Sequence, residues 1–253
     1  MDLGLIIALA SLAFTALGTA AAIIGLRQRQ YAHKRFLTVD YGPAHRVLGR
    51  RIPKGAEAVL DVIARYVFVS SSGRITFGTL DKMTSSVFLD LFSACTDLRL
   101  RVIVAKFLTD EIRNYGFHEL PTHIAVAKEG NVLLADEVAK RLGCKLVVVR
   151  TRVSAIRFGN PLEGSMYDGA YVVLVDDIAA DGEMLTRAVK RIRRGGGRIE
   201  TAFCAVERLD GNAKERLAAC DVSLYTSIKL DEGTLRELRQ LPARSRTINQ
   251  SAG

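Results

Sequence analysis

The stretch Ala170-Tyr171-Val172-Val173-Leu174-Val175-Asp176-Asp177-Ile178-Ala179-Ala180-Asp181-Gly182-Glu183-Met184 decides how this chain reads. The apolar run over residues 171–175 predicts a buried strand that ends on two adjacent carboxylates, Asp176 and Asp177. A short turn containing Gly182 follows, and residues 185–192 then carry a helical pattern. Such a strand end suits a sugar phosphate. The carboxylates can accept hydrogen bonds from vicinal hydroxyls, and the turn offers backbone N–H groups at a helix N-terminus to a phosphate. A buried strand followed by an Asp-capped helix carries the same residues. Taken alone, the segment leaves both readings open.

Outward from this stretch, strands alternate with helices. Strands are expected over residues 122–127, 145–150, 198–206 and 222–227, and helices over 55–69, 98–115, 133–142, 213–219 and 231–240. Residues 74–90 read as short strands with a loop. Residues 151–169 form a long loop with Pro161, of a length typical of active-site lids. The alternation predicts an α/β fold, a largely parallel sheet covered by helices on both faces. Four domain segments are expected: a transmembrane anchor over 1–26, a basic juxtamembrane linker over 27–54, a globular domain over 55–240 and a disordered tail over 241–253.

Residues 3–26 contain no charge, Asn, Gln or Pro, and a spanning helix needs ~20 apolar residues. Arg27, Arg29, Lys34 and Arg35 follow, so this end faces the cytoplasm by the positive-inside rule. A cleaved signal peptide starts with basic residues, whereas this chain starts Met1-Asp2. The expectation is a single-pass membrane protein with its globular domain in the cytoplasm. The net charge of +9 is concentrated in the linker, where Arg27, Arg29, Lys34, Arg35, Arg46, Arg50, Arg51 and Lys54 face one acid, Asp40. Next to a membrane, that cluster attracts anionic lipid. Basic and aromatic residues are not interleaved as in single-strand binders, so no nucleic-acid partner is expected. Hydrophobic content of 49% supports a sizeable core. The cysteines (Cys95, Cys144, Cys204, Cys220) and histidines (His33, His45, His118, His123) show no metal-ligand spacing, so no protein-only metal site is expected.

The 170–184 stretch resembles the phosphoribosyl pyrophosphate (PRPP) motif of type I phosphoribosyltransferases. The strand, Asp176, Asp177 and Gly182 match that motif. Ala180 stands where Thr is usual, Asp181 at the small position and Met184 at the Ser/Thr position. Further blocks resemble orotate phosphoribosyltransferases, and they come in order from about residue 55 to 235. Thr84-Ser85-Ser86-Val87-Phe88-Leu89-Asp90 is similar to the early Ser-x-x-aromatic-x-Asp segment. Lys128-Glu129-Gly130-Asn131 resembles the pyrophosphate loop. Leu146-Val147-Val148-Val149-Arg150 resembles the strand that ends in Arg before the catalytic loop. Glu207-Arg208-Leu209-Asp210-Gly211 resembles the late strand whose Arg contacts orotate.

The resemblance implies phosphoribosyl transfer from PRPP to a nucleobase, orotate, giving orotidine monophosphate and pyrophosphate. It implies Mg²⁺ bound through PRPP, and a homodimer. By resemblance, Asp176 and Asp177 hold the ribose hydroxyls, and Ala180, Asp181, Gly182, Glu183 and Met184 hold the 5′-phosphate. Lys128, Glu129, Gly130 and Asn131 line the pyrophosphate. Arg150, with Arg152 and Arg157 in the lid loop, neutralises it, and Arg208 reads an acidic base. A second expectation is a non-catalytic, membrane-tethered relative that binds PRPP or a nucleotide. Asp181 and Glu183 favour it by adding carboxylates where a phosphate dianion should lie. Thr151, which stands where a lysine usually follows the lid Arg, also favours it, and Asp81-Lys82 departs from the family's early Ser-Gly. A third is a protein whose pocket is vestigial.

Overall fold

The computed structural model describes residues 55–70, 75–77, 83–127, 129–150 and 161–240. The expected anchor, basic linker and tail lie outside the described residues, as do Lys128, Arg152 and Arg157. Among the described residues no helix is long and apolar enough to cross a membrane.

The N-terminal part runs α1 (Ala56–Arg65), β1 (Val67–Val69), β2 (Ile75–Phe77), β3 (Met83–Ser85), β4 (Val87–Leu89), α2 (Leu91–Thr96) and α3 (Leu98–Asn114). Then come β5 (His123–Val126), a 3₁₀ turn (Glu129–Asn131), α4 (Val132–Leu142), β6 (Lys145–Val149) and β7 (Leu162–Glu163). The C-terminal part is β8 (Tyr171–Ala179), α5 (Glu183–Arg194), β9 (Arg198–Arg208), α6 (Ala213–Ala218), β10 (Ser223–Tyr225), β11 (Lys229–Leu230) and α7 (Glu232–Gln240).

The main sheet has the order β10-β9-β8-β5-β6-β7. Its pairings are parallel except at the β7 edge, which runs antiparallel to β6. β11 also pairs with β9, with Lys229 opposite Glu207, beyond the point where β10 ends with Tyr225 opposite Phe203. Val173 and Val175 of β8 join the core built with α1, α2, α3, α4 and α7, while Val172 and Leu174 join the core built with α5 and α6. Both faces of the sheet are therefore covered, as the near-continuous apolar strands require. From β5 the chain crosses to β6 through α4 on one face, and from β8 to β9 through α5 on the other. The strand order thus reverses between β5 and β8, and open α/β sheets bind ligands outside the carboxyl ends at such a reversal.

Four local expectations are corrected. The strand expected over 171–175 continues through both aspartates to Ala179, because β9 is longer still and keeps pairing: Asp176 lies opposite Cys204 and Ala179 opposite Glu207. The helix expected over 55–69 stops at Arg65, and Val67–Val69, a β-branched and aromatic run, pairs antiparallel with β4. The 151–169 loop contains β7 within its described part. A further helix, α2, is started by Asp90, whose Oδ1 accepts the Ser93 N–H at 3.0 Å and whose Oδ2 accepts the Ser93 hydroxyl at 2.6 Å.

The last helix is tied to the N-terminal strands by one carboxylate. Glu232 accepts hydrogen bonds from Ser85 Oγ (2.8 Å), Ser86 Oγ and Arg236 Nη2 (3.1 Å). The hydrogen bonds from Ser86 and Ser85, then that from Arg236, hold its pKa at about 2, down from 4.5. A depressed carboxylate stabilises the fold fully above its unfolded pKa. That share is lost as pH falls from 4.5 through about 2. Glu232→Gln should therefore flatten the acid limb of stability against pH in that window, measured as urea midpoints. Superimposable acid limbs for the two proteins would show that this carboxylate contributes nothing.

Candidate active site

The carboxyl ends of β5 and β8 are joined by a single side chain. The 3₁₀ turn after β5 delivers Asn131 to the start of α4, where it is 2% exposed. Its amide nitrogen donates to Asp176 Oδ1 at 2.5 Å and to Asp177 Oδ1 at 2.6 Å. An Asn amide carries two N–H donors, one for each carboxylate. Asp176 and Asp177 are 2% and 3% exposed. Each also accepts from the backbone: Asp176 Oδ1 from the Asp177 N–H at 3.0 Å, and Asp177 Oδ1 from the Ile178 N–H at 2.8 Å. Burying two adjacent carboxylates is costly, and these donors offset part of that cost. Beside them, burial and the Asp177 charge push the Cys95 thiol up to about 12, and burial and the Asp176 charge raise that of Cys204. Both thiols are therefore neutral near pH 7 and act as packing groups.

The turn after β8 is fixed by close backbone packing. Gly182 has φ 71°, and a Cβ there would lie 2.6 Å from Ala213 Cα. A Cβ on Gly211 would lie 2.1 Å from the Ala180 carbonyl oxygen, which accepts the Ala213 N–H at 3.0 Å. Within this turn Asp181 Oδ1 accepts the Glu183 N–H at 3.0 Å. Glu183 is buried in the first turn of α5 and forms an ion pair with Arg187. Met184 packs against the α5-side core, and Thr186 Oγ1 donates to the Gly182 carbonyl at 2.8 Å.

Arg208 closes β9 on the same edge of the sheet, with its side chain 3% exposed. Its fork grips Asp210: Nε donates to Oδ1 at 2.8 Å and Nη2 donates to Oδ2. Nη2 also reaches Ser85 Oγ at 3.4 Å, and Nη1 reaches the Val87 carbonyl at 3.5 Å. At the end of β6, Arg150 pairs with Glu163 of β7. Its Nε is buried with no hydrogen-bond partner among the described residues. Gly130 lies against the Phe92 ring, to which a Cβ would come within 3.1 Å.

Residues 94–231 match the phosphoribosyl transferase domain, which is more than half of the chain. The chain belongs to that family. Orotate phosphoribosyltransferase of Methanocaldococcus jannaschii is 28% identical over 148 residues, covering 58% of this chain and 81% of that protein. The enzyme of the same name from Haloquadratum walsbyi is 30% identical over 141 residues, covering 56% and 73%. Among solved structures, orotate phosphoribosyltransferase from Aeropyrum pernix aligns with TM-score 0.54 at 24% identity, covering 72% of this chain and 98% of that one. The Mycobacterium tuberculosis H37Rv orotate phosphoribosyltransferase in complex with PRPP aligns with TM-score 0.52 at 19% identity, covering 74% and 99%. At these identities the two structures establish a shared fold.

In this phosphoribosyltransferase domain, Asn131, Asp176 and Asp177 meet directly, while Arg208 and Arg150 stand at the ends of the flanking strands β9 and β6 with acidic partners of their own. Sequence reasoning missed those partners, Asp210 and Glu163, and the ties from Ser85 and Glu232. Asp210 was within reach, because it lies two residues past Arg208 in a block already singled out. Glu163 carried no local signal. Asn131→Ala should destabilise the fold by about 3 kcal/mol, since it removes the donor shared by two buried carboxylates. Urea denaturation measures this, and a loss below about 0.5 kcal/mol would mean that the pair is held by other means.

Proposed function

We propose that this chain transfers the phosphoribosyl group of PRPP to orotate, releasing pyrophosphate and forming orotidine monophosphate. The observation that carries this reading is the buried Asp176–Asp177 pair, forked by Asn131 at the strand-order reversal of a phosphoribosyl transferase domain. Similarity to orotate phosphoribosyltransferases supports orotate as the base.

In the reaction a ring nitrogen of the base forms a bond to C1 of the ribose while the C1–O bond to pyrophosphate breaks. Positive charge develops on the sugar and negative charge on the leaving oxygen, so the protein acts mainly by positioning and electrostatics. Asp176 and Asp177 accept hydrogen bonds from the ribose hydroxyls, and Asn131 fixes the pair. Residues 180–184 face the 5′-phosphate with backbone N–H groups. Gly130, Asn131 and Arg150, at the ends of β5 and β6, serve the pyrophosphate. Arg208 offers a planar fork to the base carboxylate, with Asp210 holding it in orientation. As hard oxygen donors, Asp176 and Asp177 fit Mg²⁺ and would hold it together with the substrate, where the ion would offset the diphosphate charge.

The same proposal places the domain on the cytoplasmic side of a membrane, anchored through residues 3–26, and makes it a homodimer. The uncharged run with Arg27 and Arg29 behind it supports the anchor. A non-catalytic PRPP- or nucleotide-binding relative is the second reading, favoured by the Asp181 carboxylate on the Glu183 N–H.

Titration of the full chain in detergent micelles with PRPP and Mg²⁺, followed by a pyrophosphate-release assay with orotate, separates the two. Transfer predicts binding and release, the second reading predicts binding alone, and neither event would refute both. Asp177→Asn should weaken PRPP binding about tenfold or more. Unchanged affinity would remove the sugar assignment.

A further inference from the structure

The phosphate-facing turn is already partly satisfied by the protein itself. The Glu183 N–H points at the Asp181 carboxylate, 3.0 Å away. The residues at the two hydroxyl-bearing positions of the related motif, Ala180 and Met184, offer no side-chain donor. The nearest hydroxyl, that of Thr186, is turned onto the Gly182 carbonyl. Glu183 adds a second carboxylate at the helix start, engaged with Arg187. Helix N-termini favour negative charge, so each of these placements is stabilising without any ligand.

Resting on the phosphoribosyl-transfer reading, we infer that Asp181 is a resident anion in the 5′-phosphate subsite, and that a ligand phosphate must displace it. The turn itself cannot shift to make room. Gly211 abuts the Ala180 carbonyl, and Gly182 abuts Ala213, closely enough that neither position has space for a methyl group. Asp181 is half-buried, so its side chain is the part free to swing into solvent. The displaced carboxylate still stands near a phosphate dianion and repels it. PRPP and the nucleotide product carry the same 5′-phosphate, so the penalty falls on both. Asp181 thereby sets phosphate affinity low.

The test uses the full chain in detergent micelles with three ligands: inorganic phosphate, orotidine monophosphate and the unphosphorylated nucleoside orotidine. Asp181→Asn keeps a capping oxygen and removes the charge, Asp181→Ala removes both, and Asp181→Glu retains the charge. The first two should bind phosphate and orotidine monophosphate about tenfold more tightly than wild type. Asp181→Glu should stay within about twofold of wild type, and orotidine affinity should not change in any variant. A merely structural capping role predicts weaker binding of all three ligands in Asp181→Ala. Phosphate affinity unchanged or reduced in both Asp181→Asn and Asp181→Ala overturns the inference. The inorganic-phosphate arm does not depend on the sugar assignment. Its failure is therefore distinct from failure of the transfer reading, which the Asp177→Asn titration tests.

Discussion

Two carboxylates stand side by side in the interior of this protein, and one amide group holds them. Asn131 spans from the turn after β5 to the end of β8 and gives one N–H to Asp176 and one to Asp177. This contact bridges the reversal in strand order, where no direct sequence connection runs from one strand to the other. It ties the two strand ends together, and it offsets part of the cost of burying adjacent carboxylates. Whatever binds there meets carboxylates that are already oriented, which lowers the cost of ordering them on binding.

Around that contact, charge is balanced within the chain. Arg208 is met by Asp210, Arg150 by Glu163, and Glu183 by Arg187, while the Glu183 N–H is met by Asp181. Each pair lies at a strand end or helix start on the carboxyl edge of the sheet. The resident carboxylates hold their basic partners in place and occupy donors that an anionic ligand would otherwise take. Affinity for such a ligand is therefore the difference between two sets of similar contacts.

The N-terminal strands and the last helix belong to the same construction. Ser85 accepts from Arg208 and from the Val87 N–H, and donates to Glu232. A serine far away in sequence thus couples the end of β9 to α7. Leu235 and Leu238 of α7 are buried in the adjoining core, so the seam combines apolar burial with polar contacts that depend on the ionised state of Glu232.

Much of this was legible in the residues themselves. The apolar runs at 122–127 and 170–175, each followed by a helical period, with a further apolar run at 145–150, determined a parallel sheet with helices on both faces, because a strand buried on both sides cannot alternate. Asp176-Asp177 followed by Gly182 marked a candidate site, since charges at the end of an apolar strand and a glycine before a helix each imply a local geometry. Tertiary structure alone decided three things. It carried β8 through the aspartates to Ala179, because the ladder with β9 outlasts the apolar run. It brought Asn131 onto both carboxylates and Glu163 onto Arg150, contacts that depend on strand order. It turned Asp181 back onto the Glu183 N–H, because the turn is locked by Gly211 and Ala213. Sequence specifies periodicity and local turn chemistry, which act over a few residues. The pairing of distant charges follows only once the sheet has set which strand ends are neighbours.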